Sequence, residues 1–390
     1  MPAIRALDKL QDILASSENF LQRMHEQSHE PHTHKQLKRL FSPSEAAEMV
    51  GRDRTTLARA EADLGLESLQ RNPVNNRRVG YTLEQIQAFR AHFGTLPWRD
   101  ASDPPITIAC QNFKGGVGKS TTCVNFAHYL ALKGYRVLVV DTDSQATTTS
   151  MFGYMPDAEI TQENTLLPYL DSSETSLVYA VRKTYWPNID LIPACLALYE
   201  AEMAIAAHLA SQTDRDRRVE FFSELKFGLQ TVSDHYDVIL LDSPPALGLI
   251  SINVLLAADG LLVPTAPRMY DFTSTVQFFG MVKNYISLID PTKEYRWISV
   301  LTTLFDQRLA SHRQFFEVMK ACFGDSIFQH VFFQSSEVIN SAVQYLGSYE
   351  QPRPNRKVLE MLDGIFGEIE LRVLREWPSK LTELHKKGIA

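Results

Sequence analysis

From residue 106 onward the chain alternates short, mostly apolar runs with longer stretches of helical period. The runs are 106–110, 137–141, 238–242, 261–263 and 298–301. Each is too short for a helix and lacks the in–out alternation of a half-exposed strand. That pattern predicts parallel strands covered on both faces by helices. A helix running to about Lys133 and ended by Gly134 is expected after the first strand.

The first hundred residues follow a different grammar. Ile4, Leu7, Leu10, Leu14, Leu21 and Met24 recur at roughly helical spacing and predict one amphipathic helix. Its apolar stripe needs the rest of the chain, or another copy, to cover it. His25, His29, His32 and His34 follow beside Pro31. No cysteine or carboxylate pattern completes a metal cage around them, so they read as a polar linker.

Residues 41–93 predict three short helices. Ser42-Pro43-Ser44-Glu45 is a capping box with proline at the first helical position, followed by a buried face of Ala46, Ala47, Met49 and Val50. Gly51 closes the turn, and Asp53 caps a second helix over 54–62 with Leu57 and Ala58 facing inward. Helix, glycine turn, helix is a helix-turn-helix arrangement. Thr82 and Gln85 cap a third helix with Ile86, Phe89 and Phe93 as its stripe. Residues 101–105, ending in two prolines, have the composition of a linker.

Composition adds little until it is divided. The 390 residues are 44% hydrophobic and 22% charged with a net charge of −7, ordinary for a globular protein. Residues 35–99, however, carry eleven Lys/Arg against seven Asp/Glu, in front of an acidic remainder. A small basic module before a large acidic one points to nucleic acid at the front. The four cysteines form no C-x-x-C pair, which excludes a disulfide scaffold and the common zinc patterns. No apolar signal segment or membrane-length run is present, so a cytoplasmic protein with no membrane partner is expected.

Between the first strand and its helix lies Phe113-Lys114-Gly115-Gly116-Val117-Gly118-Lys119-Ser120-Thr121. Glycines there let backbone N–H groups converge on phosphate oxygens, and the helix N-terminus adds positive potential. Residues 114–121 are therefore the candidate nucleotide-binding loop. Lys119 would neutralise the β- and γ-phosphates, and the Ser120 hydroxyl would ligate Mg²⁺. Asp141 and Asp242 end two strands at the edge facing that loop and are candidates to hold Mg²⁺ through water.

Phe113 stands where the usual first glycine of such a loop would be, and Lys114 supplies a second lysine. The stretch thereby resembles the deviant Walker A family, K-G-G-x-G-K-[ST], of ParA and MinD ATPases. Asp141-Thr142-Asp143-Ser144-Gln145 resembles that family's D-x-D-P-Q, with Ser144 in place of proline. Asp242-Ser243-Pro244-Pro245 is similar to its D-x-P-P. The resemblance covers roughly 105–350. It implies ATP and Mg²⁺ as cofactors, with Asp143 orienting the attacking water. It also implies that Lys114 reaches across a homodimer to the partner's phosphates, which makes Lys114, Lys119 and Asp143 the catalytic set.

Within this class, paired interface cysteines of the nitrogenase iron-protein type are not matched. A continuous basic tail helix of MinD type is broken by Trp377-Pro378. A helix-turn-helix ahead of the ATPase instead resembles long-form ParA and the plasmid RepA partition proteins. The candidate DNA readers are Arg54, Thr55, Thr56 and Arg59 on the second helix, with Arg77 and Arg78 on phosphate. Arg308, in Leu301-Thr-Thr-Leu-Phe-Asp-Gln-Arg308, matches a family arginine that binds DNA without sequence preference. A second such arginine is absent before Ser335-Ser336-Glu337, where Gln334 stands; Arg313, Lys320, Arg353, Arg356 and Lys357 are candidates to replace it.

The expected organisation is an N-terminal helix and linker (1–40), a helix-turn-helix domain (41–99) and an α/β ATPase domain (105–390) with a mostly parallel, doubly wound sheet. The expected partners are operator DNA, nucleoid DNA when ATP is bound, a ParB-like centromere-binding protein and a second copy of the chain. The alternatives are a nucleotide-sensing transcription regulator and a positioning ATPase for a cargo other than DNA.

Overall fold

The computed structural model describes residues 35–66, 80–200 and 215–386, with residues 7, 9–17, 20, 202 and 206 besides; for 215–220, 343 and 383 it describes the backbone alone. The four linker histidines, and Ile4, Leu21 and Met24 of the first predicted apolar stripe, lie outside the described residues. Residues 9–17 are helical, and Leu10, Ile13 and Leu14 are exposed there.

Seven strands form one sheet in the order β3-β4-β2-β5-β1-β6-β7. They are β1 (Ile106–Cys110), β2 (Val137–Asp141), β3 (Arg182–Lys183), β4 (Ile189–Ile192), β5 (Val238–Asp242), β6 (Gly260–Thr265) and β7 (Trp297–Thr302). All pairings are parallel except the short edge pairing of β3 on β4. β6 and β7 are longer at both ends than their apolar cores predict. β3 and β4 had no strand signal in the sequence; they are too short, and Asp190 and Lys183 interrupt the apolar pattern.

Because side chains alternate across a strand, each strand feeds two cores. Val137 and Val139 point to one, packed under the helix Lys119–Lys133 and the long helix Arg356–Arg375. Leu138 and Val140 point to the other, beside the helices Leu249–Ala257, Met269–Ile289 and Ala310–Phe323. This is the mostly parallel, doubly wound α/β architecture expected from the sequence.

Among the described residues from 35 to the sheet there are three short helices: Pro43–Val50, Arg54–Asp63 and Leu83–Phe93. Ser42 with Glu45, and Thr82 with Gln85, form reciprocal capping boxes. Gly51 adopts φ 71°, the left-handed geometry that lets the chain turn sharply into the second helix. Phe41 and Tyr81 exchange backbone hydrogen bonds of 2.9 and 2.7 Å and close the unit. Ala60 is buried on the second helix, whereas Ala58, Met49 and Phe93, expected inside, are half-buried. The unit's small apolar face is completed by the helix Lys119–Lys133, with which it shares one continuous cluster.

Arg90 carries that junction. It is 2% exposed; its Nη2 donates to the carbonyls of Met49 at 2.9 Å and Leu132 at 2.7 Å. Gln87 donates to Ala131 O at 3.0 Å. Ala131 and Leu132 lie in the last turn of Lys119–Lys133 and Met49 in that of Pro43–Val50, so a cation and a side-chain amide satisfy helix-end carbonyls in place of water. Gly134 must be glycine: a Cβ there would lie 2.9 Å from Arg90 Nη1 and 3.1 Å from Pro97.

Residues 101–105, read as a linker by composition, form a docked strap. Asp103 is buried and accepts from the Asp100 amide at 3.1 Å, the Ser379 amide at 3.2 Å and the Ser379 hydroxyl. Trp377 Nε1 donates to Pro104 O at 2.9 Å. A composition that looks like a spacer is held by a helix more than 270 residues away in sequence. The break at Trp377-Pro378 separates Arg356–Arg375 from Pro378–Lys386, as the proline predicts.

Candidate active site

β1, β2 and β5 lie side by side, so the loop after β1 and the aspartates ending β2 and β5 meet at one edge. Asp141 and Asp242 are register partners. The loop is held open from outside. Asn112 donates to Pro264 O at 2.7 Å and accepts from the Lys114 amide at 3.3 Å. Thr303, just past β7, donates to Val117 O at 2.8 Å. Gly116 and Gly118 take φ 73° and 85°, backbone angles that a residue with a Cβ reaches only with strain.

Lys119 opens the helix and is 7% exposed; its Nζ donates to Lys114 O at 3.2 Å, curled over the loop. Burial lowers its pKa, and the charges of Asp242 and Asp143 oppose that shift. Lys114, Gly115 and Gly116 face solvent, Val117 is buried beneath the loop, and Ser120 and Thr121 are half-buried in the helix's first turn.

The two strand-end carboxylates differ in what holds them. Asp141 is fully buried: its Oδ2 accepts from the Thr149 amide at 2.8 Å and hydroxyl at 2.7 Å, its Oδ1 from the Asp143 amide at 3.1 Å. Burial and the neighbouring Asp242 charge raise its pKa well above the usual carboxylate range. Asp242 Oδ2 accepts from the Thr148 hydroxyl at 2.7 Å, while its Oδ1 is buried without a partner. Burial pushes Asp242 up to about 6, against the Thr148 hydrogen bond, the nearby Ser120 hydroxyl and the charge of Lys119. Asp143 is half-exposed and accepts from the Gln145 amide at 3.0 Å.

An unpaired buried carboxylate oxygen beside a serine hydroxyl fits one cation. Among the described residues no group of three or more His, Cys, Asp or Glu side chains is placed to cage a metal. A hydroxyl plus a single free carboxylate oxygen suits Mg²⁺, which keeps several waters and borrows phosphate oxygens.

Sequence reasoning missed three things here. Thr148 and Thr149 lie in the threonine run 147–149, whose only sequence signal is its nearness to Asp143. Asn112 and Thr303 are buried polar residues at strand exits. A cavity of about 440 Å³ opens beside the loop, lined by Gly116, Gly118, Thr121, Leu304, Phe332 and Val338. Its walls come from segments two hundred residues apart, which no linear motif could reveal.

The proposed DNA readers sit elsewhere. Arg54, Thr55 and Arg59 are exposed on the second short helix, and Arg54 approaches the Ser44 hydroxyl at 3.5 Å. Thr56 is half-buried, and its hydroxyl donates to Asp53 at 2.6 Å, a capping bond. Arg77 and Arg78 lie outside the described residues. Arg308 is exposed and forms a two-point pair with Asp306 at 2.9 and 2.8 Å, holding Asp306 down at about 2. Gln334 borders the cavity beside the loop.

A parallel sheet with a lysine-bearing glycine loop after its central strand, and two aspartates on the neighbouring strands, defines a P-loop nucleoside-triphosphatase. Comparison with known proteins narrows the class. A family model described as an AAA domain matches residues 106–292. Protein SopA of Escherichia coli K12 is 33% identical over 322 residues, 81% of this chain and 82% of its own. A solved structure titled "Partition Protein" superposes with a TM-score of 0.64 at 19% identity, covering 94% of this chain and 99% of its own. Cobyrinic acid a,c-diamide synthase from Mycobacterium smegmatis, solved with a bound ATP analog and magnesium, superposes with a TM-score of 0.51. It is 25% identical, over 62% of this chain and 91% of its own. The chain belongs to the ParA-type partition ATPases.

Proposed function

We propose that this protein is a Mg²⁺-dependent ATPase that segregates DNA. In this reading ATP drives a dimer onto nucleoid DNA, a ParB-like protein bound at a centromere stimulates hydrolysis, and the helix-turn-helix unit binds operator DNA. The observation that carries it is the unpartnered, buried Asp242 Oδ1 beside Ser120 and Lys119, at the mouth of a glycine loop. Ser120 and Asp242 would hold Mg²⁺, which when bound offsets phosphate charge and fixes phosphate orientation. The backbone N–H groups of 115–119 would cradle the phosphates, and Lys119 would exchange its bond to Lys114 O for one to phosphate. The apolar cavity beside Gly116 and Thr121 would take the base. Asp143 would orient the attacking water from its half-exposed position.

Lys114, exposed at the loop's rim, is free to reach a second copy across the site. A cation delivered in trans ties hydrolysis to dimerisation. Lys114→Ala should therefore bind ATP and fail to hydrolyse it. The exposed Arg308 and the exposed face of Arg54–Asp63 support binding to DNA. No described helix is long and apolar enough to cross a membrane.

The test is direct. Purified protein is mixed with non-specific duplex DNA and ATP, ADP or no nucleotide, with and without Mg²⁺, and analysed by sedimentation. Cosedimentation as a dimer with Mg-ATP alone supports the reading. DNA binding indifferent to nucleotide would overturn it and leave a DNA-binding regulator.

A further inference from the structure

Asp141 belongs, on position alone, among the residues around the metal. Its surroundings say otherwise. Both of its oxygens are already taken by donors from one short segment of chain, 143–149. That segment carries Asp143 and continues into the helix Thr147–Met151. Thr149 is a relay: its hydroxyl donates to Asp141 and accepts from the Ala194 amide at 2.9 Å, just beyond β4. The next residue back, Thr148, ties the same segment to Asp242 on β5. Two consecutive threonines thus pin one segment to strands on either side of β2. Ala146, between Asp143 and the threonines, is held at φ 51°, a left-handed conformation unusual for alanine. A strained residue persists only where its surroundings over-determine it, and these hydrogen bonds do so.

We propose that Asp141 and Thr149 are positioning residues for hydrolysis. They hold the backbone of Asp143 so that its carboxylate stays aimed at the phosphate site, and Asp141 takes no part in binding the metal. The inference deepens the ATPase reading and rests on it. Misplacing a reacting group by a fraction of an ångström to one ångström costs rate while leaving substrate binding alone. The signature is a loss in the chemical step with unchanged nucleotide and Mg²⁺ affinity.

The experiment uses the full chain and three variants, Thr149→Val, Thr149→Ser and Asp141→Asn. Single-turnover ATP hydrolysis, affinity for a fluorescent ATP analogue, and the Mg²⁺ concentration giving half-maximal analogue binding are measured for each. Thr149→Val keeps the side-chain volume and should slow hydrolysis by about 10- to 100-fold. Its analogue affinity and Mg²⁺ requirement should stay within about threefold of the parent. Thr149→Ser restores the hydroxyl and should recover most of the rate. Asp141→Asn should share the slow rate and the unchanged Mg²⁺ requirement.

Parental turnover in Thr149→Val would overturn the proposal, as would a Thr149→Ser as slow as the valine variant. A tenfold or greater rise in Mg²⁺ requirement for Asp141→Asn would return Asp141 to the metal. If the valine variant fails to fold, the serine and asparagine variants carry the decision. Amide hydrogen exchange without nucleotide supplies an arm independent of the ATPase reading: the Asp143 amide should exchange faster in Thr149→Val. Unchanged exchange overturns the positioning role, whereas a parent that neither binds nor hydrolyses ATP overturns only the ATPase reading.

Discussion

The loop edge of the sheet and the three-helix unit before it handle polar groups in opposite ways. At the loop edge, hydroxyls, amides and carboxylates are buried and many are bonded to one another, while Asp242 Oδ1 is left over together with the Gln111 side-chain amide and the Ser243 hydroxyl. Buried acceptors are costly to leave unpaired, so an unpaired carboxylate oxygen among them marks where a cation completes the set. In the three-helix unit the polar work goes into capping, by Ser42, Asp53 and Thr82, and Arg54 and Arg59 stand outward in water. One region is a preorganised interior; the other is a rigid platform that presents charge. Removing a group from the interior should disable a step outright. Removing one from the platform should weaken an affinity by an increment.

The largest effect expected is at Lys119. Lys119→Ala should abolish nucleotide binding by calorimetry while the capped three-helix unit keeps its fold. ATP affinity within a few-fold of the parent would show that the loop edge is not the nucleotide site. Next comes Asp143→Ala, which should retain ATP and accumulate as an ATP-bound dimer while hydrolysis falls by about 10²–10⁴-fold. A monomer in sedimentation, or parental turnover, would remove Asp143 from the chemistry.

On the platform, Arg54→Ala with Arg59→Ala should weaken operator binding by about 1–3 kcal/mol for each arginine that reads a base, and leave ATP hydrolysis untouched. Operator footprinting checks the first half of that expectation and a phosphate-release assay the second. Unchanged footprints would move the reading face elsewhere.

The smallest effect expected is also the one of opposite sign. Asp242→Asn should stabilise the nucleotide-free protein near pH 7 by about 1–3 kcal/mol. Its carboxyl, pushed up to about 6 by burial, holds its proton more tightly folded than unfolded. That favours the folded state at low pH, and the advantage is lost as pH rises from the ordinary carboxylate range through about 6. Above that range the wild-type chain carries a buried charge that asparagine does not. The variant's gain in melting temperature should therefore shrink toward zero on titrating down to about pH 4. A gain independent of pH would mean that the buried carboxylate is not its source.

The apolar runs of β1, β2, β5, β6 and β7, the loop at 114–121 and the caps at Ser42, Asp53 and Thr82 were all legible in the sequence. Each depends on neighbours within a few residues. A parallel strand buried on both faces must be apolar throughout, a helix start must satisfy its own amides, and a phosphate loop must have glycine at set positions. The grouping of Lys119, Asp141, Asp143 and Asp242 was also foreseeable once the strands were taken as parallel, since their C-terminal ends share one edge.

Tertiary structure decided everything that depends on chain segments far apart. Only packing shows that Asp141 is saturated and Asp242 is not, because their donors, Thr149 and Thr148, differ by one residue in sequence and serve two different strands. Only packing turns residues 101–105 from an apparent linker into a strap held by Ser379, and joins Arg90 to the end of the Lys119–Lys133 helix. The physical reason is common to all three. A buried polar group takes whatever partner the fold brings within about 3 Å, and the chain's order along the sequence does not record which partner that is.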